Sequence, residues 1–323
     1  MTEVSPTATI SFVCPCYNEA EVIGLFYDRL TAVIAGLDSI EADILFVDDG
    51  SSDSTLDALN QIAARDPRVR VCSLSRNFGH QIALTAGLDH AVGDAVVMLD
   101  TDLQHPPELI TEMVEKWRAG YDIVSAVRRD TKGASWFKNV TSSGFYRLIN
   151  RLSDTHIPNG VADFSLLSAR VYEPLREMRE RHRFVRGMIS WIGFKRAFVS
   201  YDAQERAAGQ SKYTPMMSGA MAMDALFSFS SSPLRLGTHA GVVITLFGFS
   251  YLAWILVRNF VLHDLVAGWA SLIAVVLILG GAQLLFIGLI GQYLARVFEE
   301  AKGRPIYIAK QLPAPRGRTQ DDA

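Results

Sequence analysis

Two carboxylates, Asp100 and Asp102, stand one residue apart, and an amide, Gln104, follows at the same spacing. Acids and an amide offer hard oxygen ligands of the kind that hold Mg²⁺ or Mn²⁺, and such ions commonly bridge to substrate phosphates. Alternate residues of an extended segment point the same way, so the three groups could converge on one ion. Residues 95–99, immediately before, form a short unbroken apolar run with β-branched Val96 and Val97. That pattern predicts a strand buried on both faces. Pro106, Pro107 and Glu108 then read as a helix start, with proline tolerated in the first turn and an acid near the positive helix end. The acids therefore fall where a strand stops and a helix begins, the edge where open α/β sheets bind ligands. A solvated loop whose acids merely cap a helix would carry the same residues, so the motif does not decide alone.

The elements around it repeat that arrangement. Residues 9–15 read as a first strand, ending in Pro15-Cys16-Tyr17-Asn18-Glu19 ahead of a helix to about Leu37. Residues 44–47 are a second, ending in Asp48-Asp49-Gly50. There glycine allows a tight turn, and Ser52 or Asp53 can cap a helix from near Thr55. Residues 69–74 are a third, followed by Asn77, Gly79 and Gln81 and a helix to about Ala91. The run before Asp100 is the fourth, and residues 123–127 the fifth, ending in Arg128-Arg129. Strands alternating with helices imply an α/β fold with a doubly wound, mostly parallel sheet. Each polar cluster lands at the carboxyl end of a strand, a regularity that capped loops do not require. No Gly-rich dinucleotide fingerprint follows the first strand and no P-loop occurs, which disfavours both nucleotide sites. Asp48-Asp49 would suit a phospho-receiver, but a receiver is shorter and has no need of Asp100 and Asp102.

Composition narrows the class. A net charge of −3 argues against a nucleic-acid partner. Cys14, Cys16 and Cys72 have no zinc spacing and read as small buried residues in a reducing compartment. The first residues lack the basic and apolar regions of a signal peptide. Residues 236–257 and 265–295 contain no Asp, Glu, Lys or Arg. A membrane core needs roughly 20 apolar residues per helix, so two spans are expected. Arg296, Lys302, Arg304 and Lys310 follow the second, while the connecting loop holds only Arg258 as a cation. The positive-inside bias then places the N-terminal domain (1–234) and the basic tail (299–323) on the cytoplasmic side of a plasma membrane, with the spans in 235–298.

Residues 136–152 set Phe137, Val140, Phe145, Leu148, Ile149 and Leu152 on one helical face, with Lys138, Arg147 and Arg151 around it. A basic, aromatic, amphipathic helix suits the bilayer interface, and an ordinary surface helix would show the same pattern. Residues 215–232, methionine-rich and nearly uncharged, read as a second interfacial helix. Between them, Arg206, Gly209, Ser211 and Lys212 form a basic loop suited to a diphosphate or lipid phosphate.

Taken in order, Pro15-x-Tyr17-Asn18-Glu19, Asp48-Asp49-Gly50-Ser51-x-Asp53, Asn77-x-Gly79-x-Gln81, Asp100-x-Asp102-Leu103-Gln104-x-Pro106-x-Glu108 and Arg206-x-x-Gly209-x-Ser211-Lys212-Tyr213 resemble the family 2 glycosyltransferases of GT-A fold, polyprenyl-phosphate branch. The resemblance covers about residues 9–305. It implies that Pro15, Tyr17, Glu19 and Asp49 line a nucleoside pocket with Asp48 beside it, and that Asp100, Asp102 and Gln104 hold Mg²⁺ or Mn²⁺ against a nucleotide-sugar diphosphate. Asp163 matches an acid near the reacting centre. Arg128, Arg206 and Lys212 should meet diphosphate or acceptor phosphate, with Ser211 nearby. Thr101 departs from the usual alanine or glycine, and its side chain should point away from the metal. The implied partners are a nucleotide-sugar donor, a polyprenyl-phosphate acceptor and the bilayer, with a homo-oligomer open. A processive polysaccharide synthase is the nearest rival, but its Gln-x-x-Arg-Trp motif is missing, since no Trp follows an Arg. A non-catalytic nucleotide-sugar-binding membrane protein is the rival from another class.

Overall fold

The computed structural model describes residues 7–128, 160–201 and 268–314, with positions within 241–257. Eight strands form one sheet in the order β7-β5-β6-β4-β1-β2-β3-β8. They are β1 (Ala8–Cys16), β2 (Ile40–Asp48), β3 (Val69–Leu74), β4 (Ala95–Met98), β5 (Ile123–Arg128), β6 (Val161–Ser168), β7 (Arg196–Tyr201) and β8 (Ala309–Gln311). The helices between them are α1 (Ile23–Ala35), α2 (Thr55–Arg65), α3 (His80–His90), α4 (Leu109–Arg118), α5 (Ala169–Glu177) and α6 (Val185–Ile192). Pairings β1–β2, β1–β4, β2–β3 and β5–β7 are parallel. Strand β6 runs antiparallel between β4 and β5, and β8 antiparallel to β3. The mostly parallel α/β sheet expected from the sequence is therefore present, with two reversed strands added.

The hydrophobic pattern explains the layers. In β1, β2 and β3 the apolar residues are buried without alternation, as strands covered on both faces require. Phe26 of α1 meets Phe46 of β2 edge to face, with centroids 6.1 Å apart. Helix α3 buries every residue from Ala83 to Leu88. Gly87 lets it approach the sheet, because a Cβ there would lie 2.2 Å from Val13 Cγ1.

Several sequence expectations are corrected. The acid-bearing segment after β4 is not extended: it turns at Thr101–Asp102, and Leu103 takes a positive φ of 58°. Simple alternation therefore does not describe how Asp100, Asp102 and Gln104 are placed. Between Asp53 and Ser52, it is Asp53 that serves the start of α2, its Oδ1 accepting from Thr55 N at 3.0 Å. Ser52 instead bonds Asn18 Oδ1. Part of the expected basic tail is built into the sheet through β8, and Tyr307 donates to Asp89 Oδ2 at 3.0 Å.

The chain divides into two compact units. One holds the sheet with its helices and the segment from Pro305. The other holds α7 (Trp269–Ala301), which is long and apolar enough between Leu279 and Ala301 to cross a membrane. Helix α7 overlaps the second expected span and continues beyond it through Arg296. Its Leu284, Ile287, Ile290 and Leu294 are exposed. The first expected span is described in part, as the apolar helix Gly241–Tyr251. The expected interfacial helices 136–152 and 215–232 and the loop carrying Arg206, Ser211 and Lys212 lie outside the described residues.

Candidate active site

The carboxyl ends of the parallel strands build one polar edge. Strand β1 delivers Tyr17, Asn18 and Glu19 to it, and β2 delivers Asp48 and Asp49. Asn18 takes a positive φ of 55°, and its side chain accepts from Ser52 N at 2.8 Å, which joins the first loop to the second. Glu19 N donates to Thr55 Oγ1 at 2.9 Å. Gly50 is required at the turn: its φ is 67°, and a Cβ would lie 2.4 Å from the Arg76 backbone.

Asp48 and Asp49 have partners within the fold. Asp48 Oδ1 accepts from Ser51 N at 3.1 Å and Oδ2 from Ser73 Oγ at 2.9 Å. Asp49 accepts from Phe78 N at 2.7 Å and Gly79 N at 2.9 Å. Burial raises the Asp49 pKa, with the two backbone donors opposing the shift. Both acids thus shape the loops of the edge, and Asp49 sets the loop that opens α3.

That helix brings His80 and Gln81 to the site. His80 Nε2 lies 2.6 Å from Asp100 Oδ1, and its Nδ1 3.9 Å from Asp163 Oδ2. Burial alone would lower the His80 pKa; the Asp100 carboxylate, and behind it Asp163, push it up to about 9. The same pairing outweighs burial at Asp100 and holds that acid down to about 2. His105 adds to it, with Nδ1 3.5 Å from Asp100 Oδ2 and its ring against Phe164 and Tyr201. Asp102 Oδ1 accepts from Gln104 N at 3.1 Å. Thr101 is buried and donates to Pro15 O at 3.2 Å, so its side chain turns toward the end of β1.

Reversal of β6 explains how Asp163 joins a site made of strand ends. It sits near the start of an antiparallel strand, which is the same edge. Arg186, from the first turn of α6, bonds both oxygens of Asp163 at 2.7 and 2.9 Å. Arg128 ends β5, is exposed, and pairs in register with Tyr201 at the end of β7. Burial pushes Tyr201 up to about 12. The edge therefore gathers Tyr17, Glu19, Asp48, Asp49, Asp100, Asp102, Gln104, Arg128 and Asp163, with Pro15 buried behind it.

Among the described residues, no three His, Cys, Asp or Glu side chains converge tightly enough to hold a metal by themselves. A donor set of Asp100, Asp102 and the Gln104 amide nevertheless has the hard-oxygen chemistry of a divalent cation completed by substrate oxygens. All three are partly exposed.

The sequence motifs span His80 and His105 without giving these residues a role, and Arg186 lies outside them. A histidine in the first turn of a helix faces the positive helix end, so a nearby acid was required for it to carry charge. That acid is Asp100, which the fold brings to His80 from 20 residues away.

Residues 11–176, just over half of the chain, match the Glycosyl transferase family 2 profile. The chain belongs to glycosyltransferase family 2. This glycosyltransferase also matches the GtrB C-terminal hairpin profile over residues 232–297, the region of the two apolar stretches. The Bacillus subtilis (strain 168) uncharacterized glycosyltransferase YkcC is 43% identical over 301 residues, 93% of each chain. The prophage bactoprenol glucosyl transferase homolog of Escherichia coli (strain K12) is 41% identical over 303 residues, 94% of this chain and 99% of the relative. Among solved structures, the mannosyltransferase PcManGT from Pyrobaculum calidifontis, in complex with GDP-Man and Mn²⁺, gives a TM-score of 0.48 at 20% identity, covering 92% of this chain and 87% of its own.

Proposed function

We propose that this enzyme moves glucose from UDP-glucose to undecaprenyl phosphate by one inverting displacement, giving a polyprenyl-phosphate sugar. The observation that carries this reading is the alignment, along 94% of the chain, with a relative named for bactoprenol glucosyl transfer. The alignment spans both the acid edge and the apolar C-terminal region. The helix Leu279–Ala301 suits a bilayer by length and composition, as an enzyme with a lipid acceptor needs. We place the catalytic unit and both termini on the cytoplasmic face of a plasma membrane, from the cation bias around the spans.

Asp100, Asp102 and Gln104 would hold Mg²⁺ or Mn²⁺. When bound, such an ion supplies positive charge against the donor diphosphate. Pro15, Tyr17 and Glu19 would receive the nucleoside, on a frame set by Asp48 and Asp49. Arg128, with Arg206, Ser211 and Lys212, would meet the phosphates. A phosphate monoester has a second pKa near ~6, so the acceptor is already an anion at neutral pH. It therefore needs compensating charge more than a general base. Asp163 then orients the reacting groups rather than removing a proton.

The test is transfer of radiolabelled glucose from UDP-glucose to undecaprenyl phosphate by purified protein, with Mg²⁺, with Mn²⁺ and with EDTA. Metal-dependent lipid-linked product, lost in Asp102→Asn, supports the reading. A folded wild type that yields no lipid-linked sugar from any UDP- or GDP-sugar contradicts it.

A further inference from the structure

One side chain grips both oxygens of Asp163. Arg186 Nε donates to Oδ1 at 2.7 Å and Nη2 to Oδ2 at 2.9 Å, while Nη1 donates to Val161 O at 3.0 Å. The guanidinium thus holds both the carboxylate and the backbone that opens β6. Gln81 completes a ring. Its Nε2 lies 3.4 Å from Asp163 Oδ2, and its Oε1 accepts from Val185 N, next to Arg186, at 2.9 Å. Two elements, α3 and α6, therefore converge on one acid of β6. His80 connects the same acid toward Asp100, at 3.9 Å on one side and 2.6 Å on the other. A planar two-point fork fixes both the position and the plane of a carboxylate, which a single ammonium cannot do.

We propose that Arg186 is a positioning residue of the transfer reaction. Acting through Asp163, and braced by Gln81, it sets the carboxylate plane that the sugar and the acceptor phosphate meet. The inference rests on the transferase reading. In the reaction concerned, an acceptor phosphate oxygen forms a bond to the anomeric carbon. The bond from that carbon to the donor diphosphate breaks, its electron pair leaves with the nucleoside diphosphate, and no proton needs to move. Such a displacement depends on alignment, and a misplacement of about 1 Å can slow a reaction about a hundredfold.

The experiment uses the full-length protein in detergent: wild type, Arg186→Lys, Arg186→Gln, Asp163→Asn and the double variant Arg186→Gln/Asp163→Asn. Steady-state transfer and the unfolding midpoint are read on the same preparations. Arg186→Gln is expected to lower kcat about a hundredfold while donor KM stays within about threefold. Arg186→Lys, which keeps the charge and loses the fork, is expected to recover part of that loss. The double variant is expected to be no slower than the slower single variant, because paired residues that act as one unit are not additive. Wild-type kcat in Arg186→Gln overturns the proposal. So does a loss that tracks the unfolding midpoint in both Arg186 variants, or multiplication of the two single losses in the double variant. A wild type that makes no lipid-linked sugar overturns the transferase reading, and this inference with it.

Discussion

Two arginine–aspartate forks of nearly the same geometry sit at opposite ends of the sheet. Arg70 bonds Asp43 at 2.7 Å through both Nε and Nη2, and Arg186 bonds Asp163 at 2.7 and 2.9 Å through the same two atoms. Their surroundings differ. Arg70 and Asp43 are 8% and 1% exposed, and the network is closed by Ser11 Oγ at 2.6 Å from Asp43 and by His90 O at 2.9 Å from Arg70. Arg186 is 30% exposed, on the edge that gathers Asp100, Asp102 and Arg128. The first pair links β2, β3 and the end of α3, away from every carboxyl-end loop. The second holds Asp163, itself 9% exposed, at the carboxyl-end edge beside His80 and Asp100. The fork geometry does not separate the two pairs; position along the strands and the exposure of the arginine do.

The largest effects should separate the two ends. Asp102→Asn, at the open edge, is expected to cut transfer about a hundredfold to a thousandfold, by analogy with removing a charge-stabilising group, and to leave the unfolding midpoint near wild type. Arg70→Leu, at the closed end, strands the Asp43 carboxylate away from water. It should cost about 3–5 kcal/mol of stability, read by denaturant unfolding, with turnover per folded molecule retained. A loss of turnover per folded molecule in Arg70→Leu would break the division.

A smaller effect concerns pH. His80 has its pKa raised from 6.5 to about 9. Its contribution to stability is fully present below pH 6.5 and is lost as pH rises through 9. Asp100 is lowered from 3.8 to about 2, so its contribution is present above pH 3.8 and is lost as pH falls through 2. The unfolding midpoint of substrate-free protein should therefore decline between pH 6.5 and 9. His80→Gln should flatten that decline, while Arg70→Leu leaves its slope unchanged. The smallest effect expected is at Tyr307. Tyr307→Phe removes one hydrogen bond to Asp89 and should cost about 0.5–1.5 kcal/mol, with no change in kcat.

Much of the fold was legible because its strands are short apolar runs between polar turns. Strands β1 to β5 and helices α1 to α4 follow the hydrophobic pattern within a few residues. The acids at the carboxyl edge were legible for the same reason, since each ends such a run. Strand β6 was harder: Asp163 and Ser165 interrupt its apolar residues, and its reversal is fixed only by pairing with β4 and β5. The turn at Leu103 was hidden too, because leucine gives no local hint of a positive φ. Arg186 needed the third dimension, lying 23 residues beyond Asp163 and meeting it only once α6 folds back on β6. Strand β8 is short and mostly exposed, so it carries no hydrophobic signature.

The most direct measurement pairs lipid-linked sugar formation with denaturant unfolding on wild type, Asp102→Asn and Arg70→Leu. The account expects metal-dependent transfer in the wild type, transfer lost with stability kept in Asp102→Asn, and stability lost with turnover per folded molecule kept in Arg70→Leu. Transfer that survives in Asp102→Asn at the wild-type rate would contradict the assignment of the acid edge as the reaction site.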